Sequence, residues 1–318
     1  MIKKSLLIYI LLITTILLNN CCKFPQEITL SRDALYPEGI EYDTRKEEFL
    51  LSSLKYGTIS RVDLKGNLKD FIQDENLIST IGIRADQKNN KLYICNSDPG
   101  VSIKTSPETQ RKIAGLAVYD LGDGTKLNYY ELHKLFSGNH FCNDIALDEK
   151  GSVYVTDSFA PAIYKIDLSG KATLFLTDKR FEGEGFNLNG IIATREYLIV
   201  AKSNEGILFK IPLEEPQKMS IVNISEKFPG ADGLVLNDQN TLTVITNGAK
   251  TVYKLKSSDN FESAEIVEKN SNNFKFPTTG VKVYQSVYLI NAELDKLFKN
   301  ETPVNNYVIE KVNFKKSN

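Results

Sequence analysis

Apolar positions along this chain fall into short runs of Val, Ile, Leu, Tyr and Phe, some alternating with polar residues and some unbroken, bounded by Gly, Asn and Asp. Runs of this kind predict β-strands. Beyond the N-terminal segment no long stripe at helical spacing occurs, and only Asn291–Lys299 reads as a short helical turn.

The runs recur as a unit. It is clearest at Asn143-Asp144-Ile145, followed by the turn Asp148–Gly151, the strand Val153–Asp157, the strand Ile163–Asp167 and the turn Ser169-Gly170-Lys171. Other copies open at Glu38-Gly39-Ile40, Ile81-Gly82-Ile83, Asn189-Gly190-Ile191, Asp232-Gly233-Leu234 and Thr279-Gly280-Val281. Most starts lie roughly 45 residues apart, the period of four-stranded propeller blades. Six copies predict an all-β, six-bladed β-propeller over residues 22–318, whose closed ring leaves few strand edges. Gln26–Leu30 precedes the first copy and is expected to supply the outer strand of the last blade. The longer gap after the second copy falls at Asp98–Ala114, an insertion in blade two expected to project over one face as a lid.

The first 21 residues read as a leader. Lys3 and Lys4 precede an apolar Ser5–Leu18, then Asn19, Asn20 and Cys21. This order predicts a bacterial signal peptide of lipoprotein type with Cys21 as the lipidated residue, although small residues rather than Asn are usual before that cysteine. The chain is then expected in the cell envelope, periplasm or medium, touching a membrane only through its lipid anchor, as a monomer. A net charge of −1 offers no footprint for nucleic acid. With no Trp, the aromatic bulk comes from 15 Tyr and 16 Phe, which favours strands. Cys95 and Cys142 lie toward one face of neighbouring blades, where an exported protein can form a disulfide.

The first strand of each blade lines the central channel, so Glu38, Ile81, Asn143, Asn189, Asp232 and Thr279 are expected to face one another. Four of them, Glu38, Asn143, Asn189 and Asp232, carry side-chain oxygen from separate blades. Two carboxylates and two amide carbonyls suit a hard divalent cation, calcium first, with magnesium, manganese or zinc as alternatives. Asn and Asp before Gly also serve as plain turn residues. Glu does not, and Glu38 in matched register makes the set more than turn punctuation. Asp144 is expected beside Asn143, as an orienting group or a turn cap. His140, three residues before Asn143, is a candidate for the channel mouth. The ends of the second strands, Ser53, Asn96, Asp157, Asn204, Asn247 and Asn291, are expected to wall the pocket with small polar groups.

These motifs resemble the senescence marker protein, gluconolactonase and luciferin-regenerating enzyme family. The likeness is carried by Pro37-Glu38-Gly39-Ile40, by Asn143–Asp148 with Gly151 and Tyr154–Asp157, and by Asn189-Gly190-Ile191 and Asp232-Gly233-Leu234. The resemblance implies that Glu38, Asn189 and Asp232 bind the metal, with Asn143 completing the site directly or through water and substrate. It also implies hydrolysis of a small polar lactone or related ester, with the cation polarising the carbonyl and Asp232 accepting a proton. Ile81 stands where the related paraoxonases carry a histidine. A non-catalytic envelope propeller that binds a ligand or partner protein around a structural cation is the alternative.

Overall fold

In the computed structural model, which describes residues 24–271 and 273–314, the strands form six antiparallel four-stranded sheets. The inner strands are Ile40–Asp43, Ser79–Asp86, Cys142–Leu147, Leu188–Ala193, Ala231–Asp238 and Pro277–Val283. Each pairs with the strand that follows it in sequence, and so on outward to the rim. The expected six-bladed propeller is what the chain forms. The last blade takes its outer strand from the N-terminal side: Glu27–Ser31 pairs with Asn306–Lys311, Ile28 opposite Ile309. Ring closure therefore depends on pairing between the two ends of the described chain.

The turns follow local chemistry. Asp63 Oδ1 accepts from the backbone N–H of Lys65 and Asn67 at 2.8 and 2.9 Å, and Gly66 takes φ +86°. Asp167 repeats this with Ser169 and Lys171 two blades on, Gly170 taking φ +81°. A side-chain acceptor and a left-handed glycine close both hairpins.

Apolar faces are buried between blades. Tyr154, Phe181 and Phe209 pack together between blades three and four, and Phe49, Tyr42 and Tyr288 pack between blades one and six. Near the axis the blades approach so closely that only glycine fits. A Cβ on Gly190 would lie 2.0 Å from the carbonyl oxygen of Asp232 in the next blade. Gly190→Ala is expected to destabilise the protein by about 2 kcal/mol or more, because backbone rather than a mobile side chain must yield. Urea melts would show it as a lowered midpoint.

The inner strands carry a second shared feature. In blades two to six, pairing with the second strand skips one residue, at Ile81-Gly82, Asn143-Asp144, Asn189-Gly190, Asp232-Gly233 and Thr278-Thr279. A bulge of this kind re-aims a side chain out of the regular alternation. By this register Thr278, rather than the expected Thr279, is the axial residue of blade six. Its hydroxyl donates to the carbonyl of Glu38 at 2.7 Å and ties the last blade to the first. The sequence points to Thr279 because Gly280 follows the axial residue by two places, where Gly39, Gly82, Gly190 and Gly233 follow theirs by one.

The insertion 98–114, expected as a lid, contributes no residue to the axial cavity. It folds around Asp98, a buried carboxylate that accepts from Thr105 at 2.7 Å and Thr109 at 2.6 Å. Lys104 donates to the carbonyls of Asp74 and Leu77 at 3.1 and 3.0 Å, pinning the segment to the side of its own blade. Lys112 donates to Pro107 at 2.9 Å, and Arg111 lies over the ring of Phe159.

Candidate functional site

Glu38, Asn143, Asn189 and Asp232 all line one axial cavity of about 390 Å³. All four are buried. The bulges explain the convergence, since each of the last three sits at the first bulged position of its inner strand. Glu38 arrives from the segment just before the inner strand of blade one.

The amide groups are oriented by the protein. Asn143 donates its Nδ2 to Ser158 Oγ at 2.8 Å, and its Oδ1 is buried without a hydrogen-bond partner. Asn189 donates to Asp232, and Asn247 donates to Asp232 Oδ2 at 2.9 Å. Glu38 Oε2 is buried and likewise unpartnered. Orphaned buried oxygens are destabilising.

Burial pushes the carboxyls up. Glu38 is held well above the usual carboxylate range by desolvation, then by the nearby charges of Asp232 and Asp144. Asp232 is raised to about 8, chiefly by burial and against the hydrogen bond from Asn247. Two carboxyls forced toward neutrality beside unpartnered amide and carboxyl oxygens suit a hard cation, which would favour the charged forms and occupy the lone pairs. Among the described residues no three His, Cys, Asp or Glu side chains gather in a metal-ligating arrangement. A cation here would therefore depend on the asparagines as well.

Asp144 is placed differently from either expectation. Its Oδ1 accepts from Ile145 N–H at 2.8 Å and its Oδ2 from Ile191 N–H at 3.1 Å. It stands where other blades carry glycine and stitches blade three to blade four, while Ser158 is the group that orients Asn143. Ser158→Ala is expected to leave the fold intact and weaken cation affinity about tenfold, the scale of losses behind a ligand. Titration calorimetry with calcium measures it.

The ring of second-strand ends is brought to the pocket only in part. Asn204 and Asn247 line the cavity, whereas Asn96, Asp157 and Asn291 do not. Asn96 accepts from Ile78 N–H and donates to the Asn76 carbonyl, at 2.8 and 3.0 Å. Asp157 accepts from Phe141, Phe159 and Ala160 N–H, and Asn291 accepts from Lys275 N–H. Ser53 donates to the Leu35 carbonyl, and Asn204 to that of Glu184. All of them except Asn247, which donates to Asp232, tie down the loop that enters the first strand of their own blade. Their shared register reflects that repeated post, a role that the spacing of single side chains does not reveal.

His140 is part of the same scaffold. Its Nδ1 lies 2.8 Å from Asp157 Oδ2 and its Nε2 3.0 Å from the Phe136 carbonyl, so both ring nitrogens face oxygens of the protein. His133 Nδ1 lies 3.2 Å from the Ala114 carbonyl. Cys95 and Cys142 are joined as a disulfide with Cα atoms 5.3 Å apart, next to Asn143. Cys21 and the rest of the leader lie outside the described residues, among which no helix is long and apolar enough to cross a membrane.

Sequence reading missed the upper walls. Leu54, Phe141, Phe186, Phe276, Leu294 and Phe298 surround the mouth above the polar floor. Phe141, Phe186 and Phe276 come from the loops that lead into inner strands, Leu54 from the hairpin between the second and third strands of blade one, and Leu294 and Phe298 from the short helix Leu294–Phe298. The opposite end of the channel differs. There Glu41 is pushed up to about 7 by burial, against the pull of Arg84 at 2.9 Å.

No family model matches this sequence. Over 99 residues the chain is 35% identical to strictosidine synthase-like 3 of Arabidopsis thaliana, a stretch that covers 30% of this chain and 21% of that protein. Mala s 1, a major allergen of Malassezia sympodialis, superposes with a TM-score of 0.72 at 18% identity, over 91% of this chain and 96% of its own. Virginiamycin B lyase from Staphylococcus aureus gives 0.59 at 14% identity, over 91% and 99%. The shared property is the propeller. Identities this low carry the fold alone, and the set includes both an enzyme and an allergen, so architecture does not choose between catalysis and binding.

Proposed function

We propose that this propeller is a cation-dependent hydrolase of the cell envelope that opens a lactone or related ester. One observation carries the reading: two buried carboxyls raised by burial share a cavity floor with the unpartnered oxygens Glu38 Oε2 and Asn143 Oδ1. Glu38, Asn143, Asn189 and Asp232 would hold the cation, calcium first. Bound there, it would supply a Lewis acid for a carbonyl group. Ser158 keeps the Asn143 amide turned so that its oxygen is free, and Asn247 fixes the rotation of Asp232. Asp232 is the carboxylate placed to take the proton of an attacking water, because no histidine lines the cavity. The resemblance to gluconolactonases supports the same reaction class. An exported chain with Cys21 as lipid attachment point fits the Cys95–Cys142 disulfide, which an oxidising compartment preserves.

The test is to measure bound metal in the purified mature chain and screen a panel of lactones and esters with and without calcium. Calcium-dependent opening of any member is expected. Cation binding with no turnover on the whole panel would replace the hydrolase by a ligand-binding propeller with a structural cation. If calcium leaves the melting temperature unchanged and no metal copurifies, the centre itself is wrong.

A further inference from the structure

The cavity has two chemically distinct levels. Its floor is acidic and amide-rich, while six apolar side chains, four of them phenylalanines, dominate its walls beside Glu184, Ser203 and Asn204. Phe141 and Leu294 are buried and would be there for packing alone. Phe186 and Phe276 are only partly buried, and Phe298 is 45% exposed although its ring lies 6.2 Å from that of Phe186. These three leave aromatic surface facing the cavity that no protein atom covers.

Phe276 is also held under strain. Its φ is +52°, the left-handed region, which is unfavourable for a bulky residue. It is kept there by its carbonyl, which accepts from Ala292 N–H at 3.2 Å, and by Asn291, which accepts from the adjoining Lys275 N–H at 2.8 Å. Tyr36 (φ +45°) and Gly230 (φ +73°) share this left-handed backbone two residues before Glu38 and Asp232, so it belongs to the repeated entry loop, and in blade six it sets Phe276 at the cavity. No Lys, Arg or His lines the cavity, so apart from a cation on the floor no side chain there would pair with an anionic ligand.

We infer that the occupant is an uncharged amphipathic molecule, with an oxygen-bearing head against the floor and an alkyl or aryl body between Phe186, Phe276 and Phe298. A compact polyhydroxylated lactone could pair with the floor and with Glu184, Ser203 and Asn204, but it would leave the phenyl faces uncovered. An apolar body removes that aromatic surface from water instead. The inference rests on the hydrolase reading only for the head group, taken as a lactone or ester carbonyl.

The experiment uses the calcium-loaded mature chain and two ladders of ring compounds bearing short, medium and long unbranched alkyl chains. γ-Lactams, which resist hydrolysis, report binding by calorimetry, and the matching γ-lactones report turnover beside glucono-δ-lactone. Lactam affinity is expected to rise about threefold per added methylene until the walls are covered. Phe186→Ala with Phe298→Ala should flatten that rise and leave the shortest member unchanged. A flat lactam ladder, including no binding at any length, overturns the inference whether or not a lactone is opened. A rising ladder with no lactone opened upholds the ligand class and overturns the hydrolase reading instead.

Discussion

Asp232→Asn and Glu38→Gln are each expected to abolish calcium-dependent stabilisation and to lower lactone or ester turnover by about a hundredfold or more. At calcium about a hundred times its Kd the unaltered chain should gain about 2.7 kcal/mol, a gain absent from both variants. Neither should lose stability in chelator. Burial holds both carboxyls above their ordinary range, so the folded state binds protons that the unfolded chain has already released. Without a cation this contribution is fully present below the unfolded-state carboxylate range. It falls away as pH rises toward about 8, the folded-state value of Asp232. Asp232→Asn removes the Asp232 share of that slope, leaving that of Glu38, and should exceed the unaltered chain in stability near neutral pH. Urea melts in chelator at acid and mildly alkaline pH read the slope directly. A variant that is instead less stable in chelator at every pH would make Asp232 a packing residue rather than part of a cation site.

Removing the disulfide is the second large effect. Cys95 and Cys142 are 47 residues apart in sequence, and closing a loop of that length restricts the unfolded chain by about 4 kcal/mol on the entropic account. Cys95→Ser with Cys142→Ser is therefore expected to lower the melting temperature by roughly 5–10 °C. Cys142 immediately precedes Asn143, at the start of the bulge that turns Asn143 to the axis. The double variant should thus also weaken calcium binding, and by more than its loss of stability alone explains. Calorimetry well below the melting transition separates the two. Unchanged affinity in a fully folded double variant would mean that the bulge holds its shape without the crosslink.

The quantities that proved readable were those the chain states locally and repeatedly. Strand runs of Val, Ile, Tyr and Phe, Asp-led turns such as Asp63–Asn67 and Asp167–Lys171, and a recurring entry motif each reflect short-range backbone chemistry. Repetition turned them into six blades, because a closed ring is the arrangement that buries every sheet face. The convergence of Glu38, Asn143, Asn189 and Asp232 on one cavity was legible for the same reason, since equal positions in equal blades must meet at the axis.

Tertiary structure decided what depended on contacts between segments with no repeat to announce them. Which oxygens are left unpartnered follows from Ser158 reaching Asn143 across 15 residues of sequence. Thr278 rather than Thr279 faces the axis because the bulge in blade six falls one residue before its glycine. The polar second-strand ends proved to be posts for their blades' entry loops, and the insertion at 98–114 turned inward on Asp98 instead of crossing the mouth. The mouth itself is built from phenylalanines in the entry loops of three blades and in a five-residue helix. By itself the sequence determined the ring and the residues at its axis, where geometry is imposed by symmetry. The walls that select a ligand were decided by non-local packing, to which a periodic pattern is blind.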